Sequence, residues 1–157
     1  PQDASKPDPN KTYPKLDLFK SRSIAGYIIW FGGPLHWQAK RQGYTARSSG
    51  EAEVGSVDDC TRVLQLLRNI LQDLGLYDRF VKEPITIYND NRAAVDWSHN
   101  MTSKGMRHIQ LKENAVRENV ETGFIEVNHI AGENNFSDIM TKEGAPAVQE
   151  CIEYLQK

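Results

Sequence analysis

One long amphipathic stretch constrains this chain more than any other feature. Val57, Cys60, Leu64, Leu67, Leu71 and Leu74 recur at three- and four-residue steps and end at Gly75, which predicts a long helix with one apolar face. Ser48, followed three residues later by Glu51, has the form of a capping box and sets the helix start. Such a face must be buried against other elements, and the flanking segments supply them. Before the helix, IAGYIIWFGG (residues 24–33) is apolar and aromatic and stops at two glycines, as a strand and turn do. PLHWQAKRQ (34–42) reads as the return strand of a hairpin, and a short third strand-like segment, GYTAR, leads into the helix. After it, EPITIYND (83–90) is a strand closing at Asp90, and NRAAVDWSHN is a short helix.

The second half continues the alternation. An amphipathic helix from about Lys104 to Glu121 closes at Gly123, and FIEVNHI (124–130) is a strand. GENN then reads as a loop and FSDIMTK as a helical turn. The stripe Val148, Cys151, Ile152 and Leu155 predicts a docked C-terminal helix over residues 144–157. Residues 4–20, rich in Lys, Asp and Pro, read as a long loop. This order predicts an α/β fold with a mixed sheet, and residues 1–157 read as a single domain without internal repeats.

Composition narrows the function classes. At 39% hydrophobic and 25% charged residues the chain has an ordinary globular balance. No apolar run reaches membrane-spanning length, and the proline-bearing start PQDASKPDPNKTYPK does not have the form of a signal peptide; no membrane partner is expected. Cys60 and Cys151 lack ligand-type spacing and suit burial in a reducing compartment. A net charge of −2 argues against avid, unaided nucleic-acid binding.

Four acidic residues in separate segments carry the chemistry: Asp3, Glu53, Asp90 and Asp138. Each lies at the start or end of a predicted element, where carboxylates are either solvated caps or, if brought together, ligands for hard cations. Glu51 and Glu53 separate at this point. Glu51 belongs to the capping box, whereas Glu53 lies four residues before Val57 and projects from the buried face, where a charge needs partners. Asp90 ends a strand, the place where α/β sheets put ligands, and capping of the next helix is its plainer role. Four carboxylates together repel unless something positive sits among them. Oxygen ligands without a His/Cys cluster select Mg²⁺ or Mn²⁺, and two such ions about 3.5–4 Å apart can clamp both oxygens of a phosphodiester displacement.

The segments SRSIAGYIIWFGGPLHWQAKRQ, RSSGEAE, IYNDNRAA, RHIQLKENAVRENVETG and SDIMTK together resemble the ribonuclease H domain of copia-type (Pseudoviridae) LTR-retrotransposon polyproteins, in order and in spacing, over residues 22–142. The resemblance implies a ribonuclease H-like fold with a five-stranded mixed sheet flanked by helices. It also implies hydrolysis of the RNA strand of RNA–DNA hybrids with two Mg²⁺ (or Mn²⁺) ions. The implied partner is the reverse transcriptase domain of the same polyprotein, and the implied location is intracellular, in a cytoplasmic virus-like particle. As an isolated domain the chain is expected to be monomeric.

Residue by residue, Asp3 matches the first-strand aspartate, Glu53 the helix glutamate, Asp90 the aspartate closing the fourth strand and Asp138 the last aspartate. Only Pro1 and Gln2 precede Asp3, so the strand holding it is expected to begin upstream. His129, nine residues before Asp138, stands near the place of a mobile family histidine; a packing or hydrogen-bonding role in a strand is the alternative. His36, His99 and His108 carry no comparable argument. For the substrate, Asn89, Asn91 and Ser49 are candidates to contact 2′-hydroxyls. Lys40, Arg41 and Arg47, or Lys104, Arg107 and Lys112, are candidates to track phosphates, unless they form solvated charged faces. Two rivals accompany this reading: a non-catalytic ribonuclease-H-like tether or docking module, and an integrase- or resolvase-like nuclease, against which DIMTK speaks.

Overall fold

The structure is a computed structural model and describes residues 22–99 and 110–141. The order of elements is β1 (Ile24–Trp30), β2 (Pro34–Arg41), α1 (Ser49–Asp73), α2 (Tyr77–Phe80), β3 (Ile85–Asn89), α3 (Arg92–His99), α4 (Gln110–Glu121) and β4 (Ile125–His129). Two short 3-10 helices follow, Gly132–Asn134 and Phe136–Met140. The expected loop over 4–20 and helix over 144–157 lie outside the described residues.

The hairpin forms as its sequence dictates. Tyr27 faces Gln38, Ile29 faces His36 and Ile24 faces Arg41 in an antiparallel ladder, with alternate residues Ala25, Tyr27 and Ile29 buried. Gly32 turns the chain at φ +69°, a conformation that L side chains rarely adopt. β3 and β4 pair in parallel, from Ile85 with Ile125 to Asn89 with His129. Helices α3 and α4 lie between them in the chain, the crossover that a parallel pair requires.

The core lies between these sheets and α1, where Val54, Val57, Cys60 and Leu64 meet Tyr27, Ile29, Ile125 and Val127. α4 adds Val116, buried to 1% exposure. Its Arg117 guanidinium lies 3.8 Å over the Trp97 ring of α3 and bonds the Trp97 carbonyl at 3.2 Å. The predicted face of α1 is buried only in its first half; Leu74 is 63% exposed. The cause is length. A helix of 25 residues runs about 37 Å, while the seven residues of β1 run about 23 Å, so the helix overshoots the sheet.

One sequence expectation needs correction. GYTAR forms no third strand. The segment instead packs on the first turns of α1: Gln42 donates to the Ala52 carbonyl at 2.7 Å. Nearby, the Tyr44 hydroxyl sits where a Cβ on Gly55 would be, only 2.0 Å from that position. The described residues also hold no five-stranded sheet. They form two separate two-stranded sheets, β1–β2 and β3–β4.

Candidate active site

Two elements end beside the first turn of α1. Ser48 caps that helix, accepting from the Glu51 amide at 3.1 Å, and Glu51 reaches back to the Arg47 amide at 2.6 Å. The reciprocal bond of the capping box has thus moved one residue upstream, and Glu51 has the structural task its position predicts. Glu53, one turn face away, is half-buried and accepts a hydrogen bond at 3.1 Å from the side-chain amide of Asn89, the last residue of β3. Asn89 is 6% exposed. Its oxygen accepts from the Asn91 amide at 2.8 Å, so one side chain fixes both Glu53 and the turn that carries Asp90.

The same turn leads into the next helix. The helix after it is capped by Asn91, whose Oδ1 accepts from the Ala94 amide at 3.2 Å. Asp90 Oδ2 lies 3.6 Å from where a Cβ on Gly132 would stand. A backbone bond from Ile130 to the Asn89 carbonyl, 3.0 Å, holds the two chain segments together there.

Asp138 arrives from the second 3-10 helix and is 8% exposed. Asn135 caps this helix, accepting from the Ser137 amide at 3.2 Å and the Ser137 hydroxyl at 2.7 Å. The helix rests on β1: a Cβ on Gly26 would lie 2.7 Å from Thr141 Cγ2 and 3.0 Å from Met140 Cβ. Trp30 and Phe136 add a ring contact, 6.2 Å between centroids.

A cavity of about 280 Å³ opens between these parts, lined by Glu53 and Asn89 at one end and by Asn135, Phe136 and Ser137 along its rim. Cys60 lies on its floor, and burial pushes its thiol up from 9.0 to about 12. Tyr27 also lines the cavity, and its hydroxyl is raised to about 12, first by burial and then by Cys60 and Asp59. Neither group is poised to ionise near neutral pH.

The remaining expected residues fall as follows. His129 ends β4 in register with Asn89 and is exposed. Ser49 opens α1 and is exposed, as is Arg47. Lys40 pairs with Asp59 at 3.3 Å. His99 bonds the Val127 carbonyl at 2.8 Å, and His36 lies 3.4 Å from the Tyr27 hydroxyl. Asp3, Lys104, Arg107 and His108 lie outside the described residues. Among the described residues no three His, Cys, Asp or Glu side chains gather as a metal-holding group. The donors Glu53, Asp90 and Asp138 are all carboxylates, the chemistry that suits Mg²⁺ or Mn²⁺. Sequence reasoning missed the bracket role of Asn89. Its signal was a buried-face position at a strand end, next to an aspartate.

No helix among the described residues is long and apolar enough to cross a membrane. No family model matches the chain, and no solved structure matches it. Three relatives are Pol polyproteins of transposons. A retrovirus-related Pol polyprotein from transposon RE2 of Arabidopsis thaliana is 34% identical over 122 residues, which cover 76% of this chain and 8% of the relative. The RE1 counterpart from the same plant is 33% identical over 122 residues, with the same coverage. The Pol polyprotein from transposon TNT 1-94 of Nicotiana tabacum is 31% identical over 128 residues, 80% of this chain and 9% of the relative. The chain thus spans less than a tenth of the length of these relatives, and it is homologous to a short segment of copia-type retrotransposon Pol polyproteins.

Proposed function

We propose that this chain is the ribonuclease H segment of a retrotransposon Pol polyprotein and hydrolyses the RNA strand of RNA–DNA hybrids. The observation that carries the reading is the Asn89 bracket. A side chain at the end of β3 holds the half-buried Glu53 of α1, and the same side chain accepts from the Asn91 amide across the turn that carries Asp90. Asp138 is buried on a 3-10 helix capped by Asn135, and Asn135, Phe136 and Ser137 line the same cavity as Glu53. A purely structural module has no need to hold a half-buried glutamate at a cavity end by a buried strand-end asparagine.

Glu53, Asp90, Asp138 and Asp3 are the proposed ligands of two Mg²⁺ or Mn²⁺ ions. When bound, such ions activate water and stabilise the leaving 3′ oxygen. The protein's own contribution is positioning: Asn89 orients Glu53, and the 3-10 helix fixes Asp138. His129, exposed at the end of β4, is placed to meet solvent and to exchange a proton near the product. Ser49, Asn91, Arg47 and Arg107 are proposed to contact the hybrid. Asn89, whose amide is committed to Glu53, acts on the substrate through that carboxylate. With a net charge of −2, the grip on substrate is weak, and the adjoining reverse transcriptase supplies it by tethering.

The test uses an end-labelled RNA strand annealed in turn to DNA and to RNA, with Mg²⁺, with Mn²⁺ and with chelator. Cleavage of the hybrid alone, with metal alone, and its loss in a folded Asp90→Asn variant are expected. Strong residual cleavage by that variant would sink the two-metal assignment. A folded, inactive wild type would favour the non-catalytic docking module.

A further inference from the structure

Among the described residues two carboxamide side chains are buried, Gln42 at 3% exposure and Asn89 at 6%. They come from different sheets, Gln42 just after β2 and Asn89 at the end of β3, yet both donate to one residue's surroundings in the first turns of α1. Asn89 donates to the Glu53 carboxylate at 3.1 Å. Gln42 donates to the Ala52 carbonyl at 2.7 Å, the oxygen of the peptide group whose nitrogen belongs to Glu53. That group is planar, so a hold on its oxygen fixes the plane from which the Glu53 Cα departs. Gln42 is itself anchored, its backbone amide donating to the Ser23 carbonyl at 2.8 Å beside the start of β1. The glutamate is thus gripped by its backbone from one sheet and by its carboxylate from the other.

The helix does not need the Gln42 bond to satisfy its own backbone. Ala52 lies inside α1, where a carbonyl accepts from the amide four residues on; the side-chain donor is an addition. Two costs accompany it. Gln42 Oε1 is buried with no hydrogen-bond partner among the described residues, and an unsatisfied buried acceptor destabilises a fold. Gly55 leaves open the space that the Tyr44 hydroxyl and Gln42 Nε2 occupy, and glycine inside a helix is a poor helix former. An apolar residue at position 42 would pack there without an orphaned oxygen. Local rules broken at the turn that carries Glu53 mark a side chain kept for its hydrogen bond.

We infer that Gln42 is a positioning residue: by holding the Ala52–Glu53 peptide it sets where the Glu53 carboxylate stands, and so ties the hairpin to the proposed metal site. This deepens the nuclease reading and rests on it for the role of Glu53. Gln42 acts through Glu53 and not on the substrate. Tyr44 is no second hold of the same kind, because its hydroxyl reaches the Glu51 carbonyl only at 3.4 Å, a weak bond. Its part is to fill the hollow at Gly55.

The test is Gln42→Met, an unbranched side chain of similar length that removes the donor and the orphaned oxygen together. Three quantities are read: the urea midpoint, the solvent exchange of the Asn89 side-chain amide by NMR on the metal-free chain, and the Mn²⁺ dependence of hybrid cleavage. The midpoint is expected at or above that of the wild type. Exchange of the Asn89 amide is expected to quicken about tenfold, and the half-saturating Mn²⁺ concentration to rise by about tenfold. Tyr44→Phe is expected to match the wild type in all three. An Asn89 amide exchanging at the wild-type rate in folded Gln42→Met overturns the inference. Equal quickening in Tyr44→Phe overturns it too, because lost packing would then suffice. Should Gln42→Met not fold, Gln42→Leu is read in the same way; loss of the fold in both assigns the residue to stability and overturns the inference. The nuclease reading fails separately. A wild type that cleaves no hybrid, with an Asn89 amide that still responds to Gln42→Met, sinks the nuclease and leaves the positioning role. Unaltered cleavage with an unresponsive amide does the reverse.

Discussion

Glu51 and Glu53 are two residues apart and chemically identical, yet their surroundings give them different work. Glu51 ties down the Arg47 amide and is held by Ser48; Glu53 takes the Asn89 amide at the cavity end. Glu51→Gln is expected to leave hybrid cleavage near the wild-type rate and to cost at most about 1 kcal/mol of stability. Glu53→Gln is expected to lose about a hundredfold or more in rate with an unchanged melting curve. Equal losses in the two variants would show that the bracket has been assigned to the wrong glutamate. Asn89→Ala leaves Glu53 without its donor, and a loss of about ten- to a hundredfold is expected. Asn89→Asp is expected to be worse, because it places a like charge against Glu53.

At the scale of elements, the contact between β1 and the Asp138 segment depends on a missing side chain. Gly26 allows Met140 and Thr141 to lie against the strand, and a methyl group there forces the 3-10 helix outward. Gly26→Ala is expected to cost about 1–3 kcal/mol, read as a lowered urea midpoint, and to reduce cleavage by displacing Asp138. Gly55 does the same for Tyr44 on α1. These two contacts explain what was legible in the sequence. The hairpin, α1 with its cap, β3 and β4 each announce themselves through local period and turn residues, and the capping task of Glu51 follows from its spacing to Ser48. The separation into two sheets was not legible, because it depends on which edges meet across a gap. Nor was the capping of α3 by Asn91, since Asp90 is an equally good cap by type.

For the whole molecule, the titrating groups around the cavity set an alkaline limit. Cys60 and Tyr27 are both held protonated, with their values raised to about 12 from 9.0 and 10.0 by burial. A raised value in the folded state means that the unfolded chain releases protons first. The stabilisation is fully present below about pH 9 and falls as pH rises from there toward 12. Urea midpoints measured across that range should decline, with the Cys60→Ala variant declining less. Thiol alkylation at pH 8 should find Cys60 unreactive until the protein is unfolded. The two sheets also differ in how much chain each must gather. The β1–β2 ladder closes over the short turn at Gly32, whereas Ile85 meets Ile125 only after the whole stretch through α3 and α4 has been brought back. Closing the longer loop costs more entropy before any contact repays it. Pulse labelling during refolding should therefore protect the hairpin amides ahead of those in β3 and β4. On a ribosome the same asymmetry means that the hairpin and α1 can assemble while the chain bearing Asp138 is still being made.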